Sequence, residues 1–148
     1  DALSRIQPGG GTHLSAGLQK LSDGSRRRGL VLLFTDFFSP LEEPFLLLRQ
    51  LVSRGHQVLA FHVLDGDELD FPFDEMTLFE GLETGTRLLA EPRLIRGTYL
   101  ERLQAHIDDV RRRATDARVE CSLLDTREPP ALAVLGILRR LQANPGGR

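Results

Sequence analysis

A single cysteine, Cys121, stands among 148 residues, so no disulfide can form within the chain. Val119, Leu123 and Leu124 around it suit a small packed thiol rather than a metal ligand, and a free thiol of that kind fits a reducing compartment. Excess positive charge is missing too. The 19 Lys and Arg residues against 21 Asp and Glu give a net charge of -2, which provides no general attraction to nucleic acid or to an anionic membrane. No apolar run approaches the roughly 20 residues that span a bilayer, and the first residues lack the charged-then-apolar order of a signal peptide. A soluble, cytoplasmic segment is expected, with a membrane anchor elsewhere in the parent protein left open. Ser15, Ser39 and Ser122 have no G-x-S-x-G elbow, so nothing in the sequence supports a nucleophilic serine. No two histidines have metal-ligand spacing: His62 lies inside an apolar strand, His106 on the flank of an amphipathic helix, and His13 and His56 at element starts. Each reads as packed or solvated. Internal repeats and low-complexity blocks are absent.

What the sequence does contain is alternation. With 41% hydrophobic and 27% charged residues, the chain suits one domain with one continuous core. Leu30 to Thr35 and Val58 to Leu64 are short, continuous apolar runs of the kind covered on both faces, and Val119 to Leu124 is a shorter third. Between them the period changes to that of a helix. Leu14 to Leu21 follows a glycine run. Leu41 to Val52 has Leu and Phe at helical spacing, with Ser39-Pro40-Leu41-Glu42 supplying an N-cap, a first-turn proline and a capping-box Glu, and with Pro44 offering a start one turn later. In Arg93 to Ala117 the residues Tyr99, Leu103, Ile107, Val110 and Ala114 form one apolar face. A last helix begins at Pro129-Pro130 and carries Leu132, Leu135, Leu138 and Leu141, and residues 143–148 are expected to be a disordered tail. Strand and helix in this order predict an α/β fold, an open and mainly parallel sheet with helices on both faces.

Asp65 to Pro92 departs from that order. It has no helical period, but Thr77-Leu78-Phe79 and Arg87-Leu88-Leu89 flank Glu83-Thr84-Gly85 as a β-hairpin would. The stretch reads as an insertion between a strand and its return helix. Leu69, Phe71, Phe73, Met76, Leu78 and Phe79 make it unusually apolar. They either fold back over the sheet edge or form an exposed patch for a partner.

In open parallel sheets, ligands bind beyond the carboxyl ends of the strands. Asp36, Asp65 and Asp125 each follow a strand, and Pro8-Gly9-Gly10-Gly11-Thr12 leads into the first helix. Carboxylate and hydroxyl oxygens suit Mg²⁺, although two protein ligands make only a partial site. The bland readings are equally concrete: Thr12 as a helix N-cap, Asp36 as a turn residue before Ser39-Pro40, and Asp65-Gly66-Asp67 as a solvated turn. The glycine run lacks the Lys of a phosphate-binding loop.

Gly10-Gly11-Thr12 before a helix, followed by Leu32-Leu33-Phe34-Thr35-Asp36, resembles the second and third parts of the metal-ion-dependent adhesion site of von Willebrand factor A domains. More specifically, Leu33 to Phe38, Arg54 to Val58, Ala60 to Asp65, Glu68 to Phe73 and Leu123 to Thr126 resemble the bacterial domain-of-unknown-function family fifty-eight, over roughly Pro8 to Leu141. The resemblance implies a von Willebrand A-like interaction module that acts with a MoxR-type AAA+ ATPase in protein assembly or maturation. Thr12 then matches the site's threonine and Asp36 its later aspartate. The Asp-x-Ser-x-Ser turn that opens such a site has no counterpart here, and Phe37 stands where many A domains have Gly. The chain is therefore expected to be the C-terminal part of such a domain, with Mg²⁺ bound weakly or not at all. A non-enzymatic role is expected, with Leu69, Phe71, Phe73, Met76 and Phe79 facing a protein partner and an exposed strand edge forming a homo-oligomer. The alternative is a Mg²⁺-dependent phosphohydrolase using Asp36 and Asp65.

Overall fold

The computed structural model describes residues 13–25, 27–81, 85–129, 131 and 135–136. Thr12, most of the expected last helix and the tail at 143–148 lie outside them; within that helix Ala131, Leu135 and Gly136 are helical. The elements run α1 Leu14–Gly24, β1 Leu30–Thr35, α2 Glu42–Ser53, β2 Gln57–Leu64, α3 Gly66–Asp70, β3 Thr77–Glu80, β4 Arg87–Ala90, α4 Pro92–Ala117 and β5 Glu120–Asp125. The strands form an open parallel sheet in the order β1-β2-β5 and a separate two-stranded antiparallel hairpin of β3 and β4. The α/β architecture and the inserted hairpin follow the alternation of the sequence.

Register explains the two faces of the sheet. Val31 pairs with Val58, Leu33 with Ala60 and Thr35 with His62 in the first ladder, while Ala60 pairs with Cys121 and His62 with Leu123 in the second. Partners across a parallel ladder point the same way, and the period of two puts every other residue on the opposite face. On the first face Val58 and Ala60 join Phe37, Phe45, Leu48 and Leu51 from α2 and its approach, Leu18 of α1, and Val110 and Ala114 of α4 in the main core. Farther along this face, Leu64 packs with Leu103 and Ile107. On the second face Leu59, Phe61 and Leu124 form a smaller cluster. Leu30, Leu32 and Phe34 of the edge strand β1 remain exposed.

Helix α2 begins differently from the sequence reading. The residue before its first turn is Leu41, already in helical conformation and without a side-chain cap, so Ser39 does not cap it. Pro44 is the reason the later start works: a first-turn proline lacks only an N–H that would have had no helical partner. Glu42 and Glu43 occupy that turn, where carboxylates complement the positive helix end. At the other end Gly55, with φ of +87°, lets the chain turn back, the N–H of His56 donating to the Leu51 carbonyl at 3.1 Å and that of Gly55 to Val52 at 2.9 Å. Helix α4 closes the same way without a glycine. Arg118 adopts φ of +57°, and the N–H of Val119 donates to the Ala114 carbonyl at 2.8 Å, a Schellman closure that delivers Val119 to the core.

The insertion holds a short helix that its sequence did not announce. With five residues, α3 is too short to show a period, and its signal is the cap. Asp65 accepts from the Asp67 N–H at 2.9 Å, and Glu68 Oε2 accepts from the Asp65 N–H at 2.8 Å. This is a capping box.

Candidate functional site at the strand ends

Three polypeptide turns follow the carboxyl ends of the parallel strands. After β1, Thr35 Oγ1 accepts from the Phe37 N–H and Asp36 Oδ1 from the Phe38 N–H, both at 3.1 Å. These two bonds fold a tight turn that leaves Asp36 exposed and Phe37 fully buried. Phe37 has φ of +58°, a conformation that costs a non-glycine residue about 1–2 kcal/mol. Its ring compensates by stacking on Phe45 at 5.3 Å and meeting His62 edge-on at 5.6 Å. Phe37 thus combines a glycine-type backbone conformation with an aromatic anchor in the core.

The ends of β2 and β5 form a second cluster. Thr126 donates its hydroxyl to Asp65 Oδ2 at 2.8 Å, and the Thr126 N–H donates to the Leu64 carbonyl at 3.0 Å. Hydrogen bonds from the Asp67 N–H and the Thr126 hydroxyl hold the Asp65 carboxyl below the usual range. Arg127 Nε donates to Asp125 Oδ1 at 3.0 Å, and the same guanidinium contacts Asp70. That pairing depresses the Asp125 carboxyl and raises the Arg127 guanidinium. The side chain of Arg127 passes close over Gly66, where an added Cβ would lie 2.2 Å from Nε. Asp65 after β2 and Asp125 at the end of β5 therefore already have partners of their own chain.

Asp36 and Asp65 enter from different strands, and among the described residues no group of three or more His, Cys, Asp or Glu is placed to hold a metal ion. Thr12, the expected companion of Asp36, is outside the described residues.

What sequence spacing did not suggest is a histidine pair. His62 of β2 and His106 of α4 meet with ring centroids 5.4 Å apart and planes at 83°, and Phe38 stacks on His106 at 5.4 Å. Burial, followed by the neighbouring His106, pushes the His62 imidazole down to about 4. On β5, burial pushes the Cys121 thiol up to about 11, in keeping with a packed, neutral side chain. The signal for the pair was a polar residue in an otherwise apolar strand matched by one on a helix flank. Their separation along the chain hides it.

Of the insertion's apolar residues, Phe71 is buried and joins the rings of Tyr99, Phe73 and Phe79, with centroids 4.6, 5.2 and 5.7 Å away. Leu69 packs with Leu64 and Leu103. Phe73 also meets Phe79 edge-on at 5.4 Å. Met76, at 65% exposure, points outward together with Leu78, Leu88 and Leu89, at 54%, 58% and 60%. The aromatic residues thus tie the hairpin to α4, while its aliphatic residues face solvent.

The parallel sheet, its strand-end turns and the anchored hairpin define an open α/β domain whose candidate site lies at the carboxyl ends of its strands. The chain belongs to the family described as protein of unknown function DUF58, whose model matches residues 2–109, from before α1 to within α4. No curated protein and no solved structure matches the chain. No helix among the described residues is long and apolar enough to cross a membrane.

Proposed function

We propose that this chain is a non-enzymatic protein-interaction module of von Willebrand A-like type, working with a MoxR-type AAA+ ATPase in protein assembly or maturation. The observation that carries the proposal is the anchored hairpin. A two-stranded ribbon is barely stable alone, yet this one is fixed to α4 through Phe71, Phe73, Phe79 and Tyr99 while presenting Met76, Leu78, Leu88 and Leu89 to solvent. Exposed aliphatic side chains on a rigid support are what a protein partner buries. Membership in DUF58 and the likeness of the Asp36 turn to an adhesion-type site support the same reading, with Asp36 and Thr12 as the residues for a weak Mg²⁺ contact. The partner engages the strand-end face and the hairpin, and no residue acts catalytically.

The test is a binding assay between the full chain and a MoxR-type ATPase from the same genome, compared with Leu78→Ser/Leu89→Ser. Binding that falls at least about tenfold in the double variant, with the fold retained, supports the proposal, since loss of a buried aliphatic contact on this scale is usual for an interface centre. Equal binding by both proteins, or none by either, overturns it.

A further inference from the structure

Two buried nitrogen atoms in this protein lack any hydrogen-bond partner among the described residues: His62 Nε2 and His106 Nε2. Buried polar atoms are almost always partnered, and an orphan calls for an explanation such as an ion or a water. Here the two belong to rings in contact. The main chain and carboxyl of Asp36 lie near the His62 imidazole. A neutral imidazole has one N–H and one lone pair, and with the proton on Nδ1 the Nε2 lone pair is free for a metal ion.

The spacing is also right. An ion bound by two Nε2 atoms at about 2.0–2.1 Å with a near-tetrahedral angle holds the ring centroids roughly 5 Å apart, and these centroids are 5.4 Å apart. We propose that His62 Nε2 and His106 Nε2 bind one borderline divalent transition-metal ion of the Zn²⁺ or Co²⁺ kind. Nitrogen donors select such ions over Mg²⁺, so the site is separate in chemistry from an oxygen site at Asp36. No third His, Cys, Asp or Glu completes a cluster among the described residues. Water or an incoming donor atom fills the other positions, as in metal sites that keep open coordination. Phe38, stacked on His106 and more than half exposed, forms the outer wall.

Co²⁺ is the probe, because four-coordinate Co²⁺ absorbs visible light strongly. The tag-free full chain is titrated with Co²⁺, then with Zn²⁺ in competition, alongside His106→Ala, His106→Phe and the control His13→Ala. His106→Phe keeps an aromatic ring between Phe38 and His62, and circular dichroism reports the fold of each variant. The expected result is one equivalent of Co²⁺ bound with a visible spectrum, displaced by Zn²⁺, weakened by at least about tenfold in both His106 variants and unchanged in His13→Ala. Absence of saturable binding overturns the proposal. So does binding that survives in a folded His106 variant or disappears with His13→Ala.

Discussion

Phe34 lies flat against Phe61, ring centroids 4.5 Å apart and planes 5° from parallel, although Phe61 is fully buried and Phe34 is 50% exposed. The pair ties the edge strand β1 to the central strand β2 on the second face of the sheet. Phe34→Ala removes a stacked pair worth about 0.5–1.5 kcal/mol beyond its buried area. Urea denaturation should show a loss of about 1–3 kcal/mol.

The same strand supports a prediction about assembly. β1 has a neighbour on one side only within the described sheet, and Leu30, Leu32 and Phe34 are exposed along it. Open apolar strands recruit further strands. Sedimentation velocity at micromolar concentration should show a dimer or larger species, and Leu32→Lys should shift it toward the monomer. A wild-type protein that sediments as a monomer throughout would count against self-association.

Phe37 sets two effects against each other. Phe37→Gly relieves a left-handed backbone strain of about 1–2 kcal/mol but removes a fully buried ring, a loss of about 3–5 kcal/mol. Ring loss wins. Chemical denaturation should show net destabilisation of about 2–3 kcal/mol, whereas a neutral or stabilising outcome would mean that the stack on Phe45 and His62 contributes little.

Acid stability follows from His62. Its folded-state value of about 4 lies below the ordinary 6.5, so the unfolded chain binds more protons as the pH falls below 6.5. Stability is fully present above pH 6.5 and declines between 6.5 and 4, by an amount on the order of 2–3 kcal/mol for this group. His62→Phe, compared with wild type at pH 7.5 and 4.5 by denaturant titration, should show a smaller difference between the two pH values.

Cys121 has the opposite sign. Its thiol is raised from 9.0 to about 11, so the native state favours the neutral form and stability falls as pH rises through that interval. At neutral pH a thiol-alkylating reagent should label Cys121 slowly in the native protein and far faster in denaturant. Equal rates would show an accessible thiolate.

The fold was legible because its signals are local. Apolar runs at Leu30 to Thr35 and Val58 to Leu64 marked the strands, and the Leu103, Ile107, Val110, Ala114 series marked α4. Capping was less legible, since Ser39 and Pro44 offer competing starts and only packing of Phe45 and Leu48 against the sheet chooses between them. Glu68 was three residues from Asp65 in plain view, but a helix as short as α3 offers no period to draw attention to its cap. At the candidate site, the exposed position of Asp36 followed from its place after β1, whereas the Thr126 hydroxyl on Asp65 and the contact of Arg127 with Asp70 join residues far apart in the chain. The meeting of His62 with His106 is a product of how α4 lies on the sheet, and no spacing along the chain encodes it.

The buried ring of Phe37 also bears on the timing of order at the Asp36 turn. Thr35 and Asp36 each accept a main-chain N–H there, and the aromatic anchor fixes the following residue in the core. The conformational entropy of that turn is therefore surrendered when the protein folds, not when something arrives at the strand ends. A ligand or partner meeting Asp36 finds its landing geometry already set, and association there should be fast and require little rearrangement of the backbone.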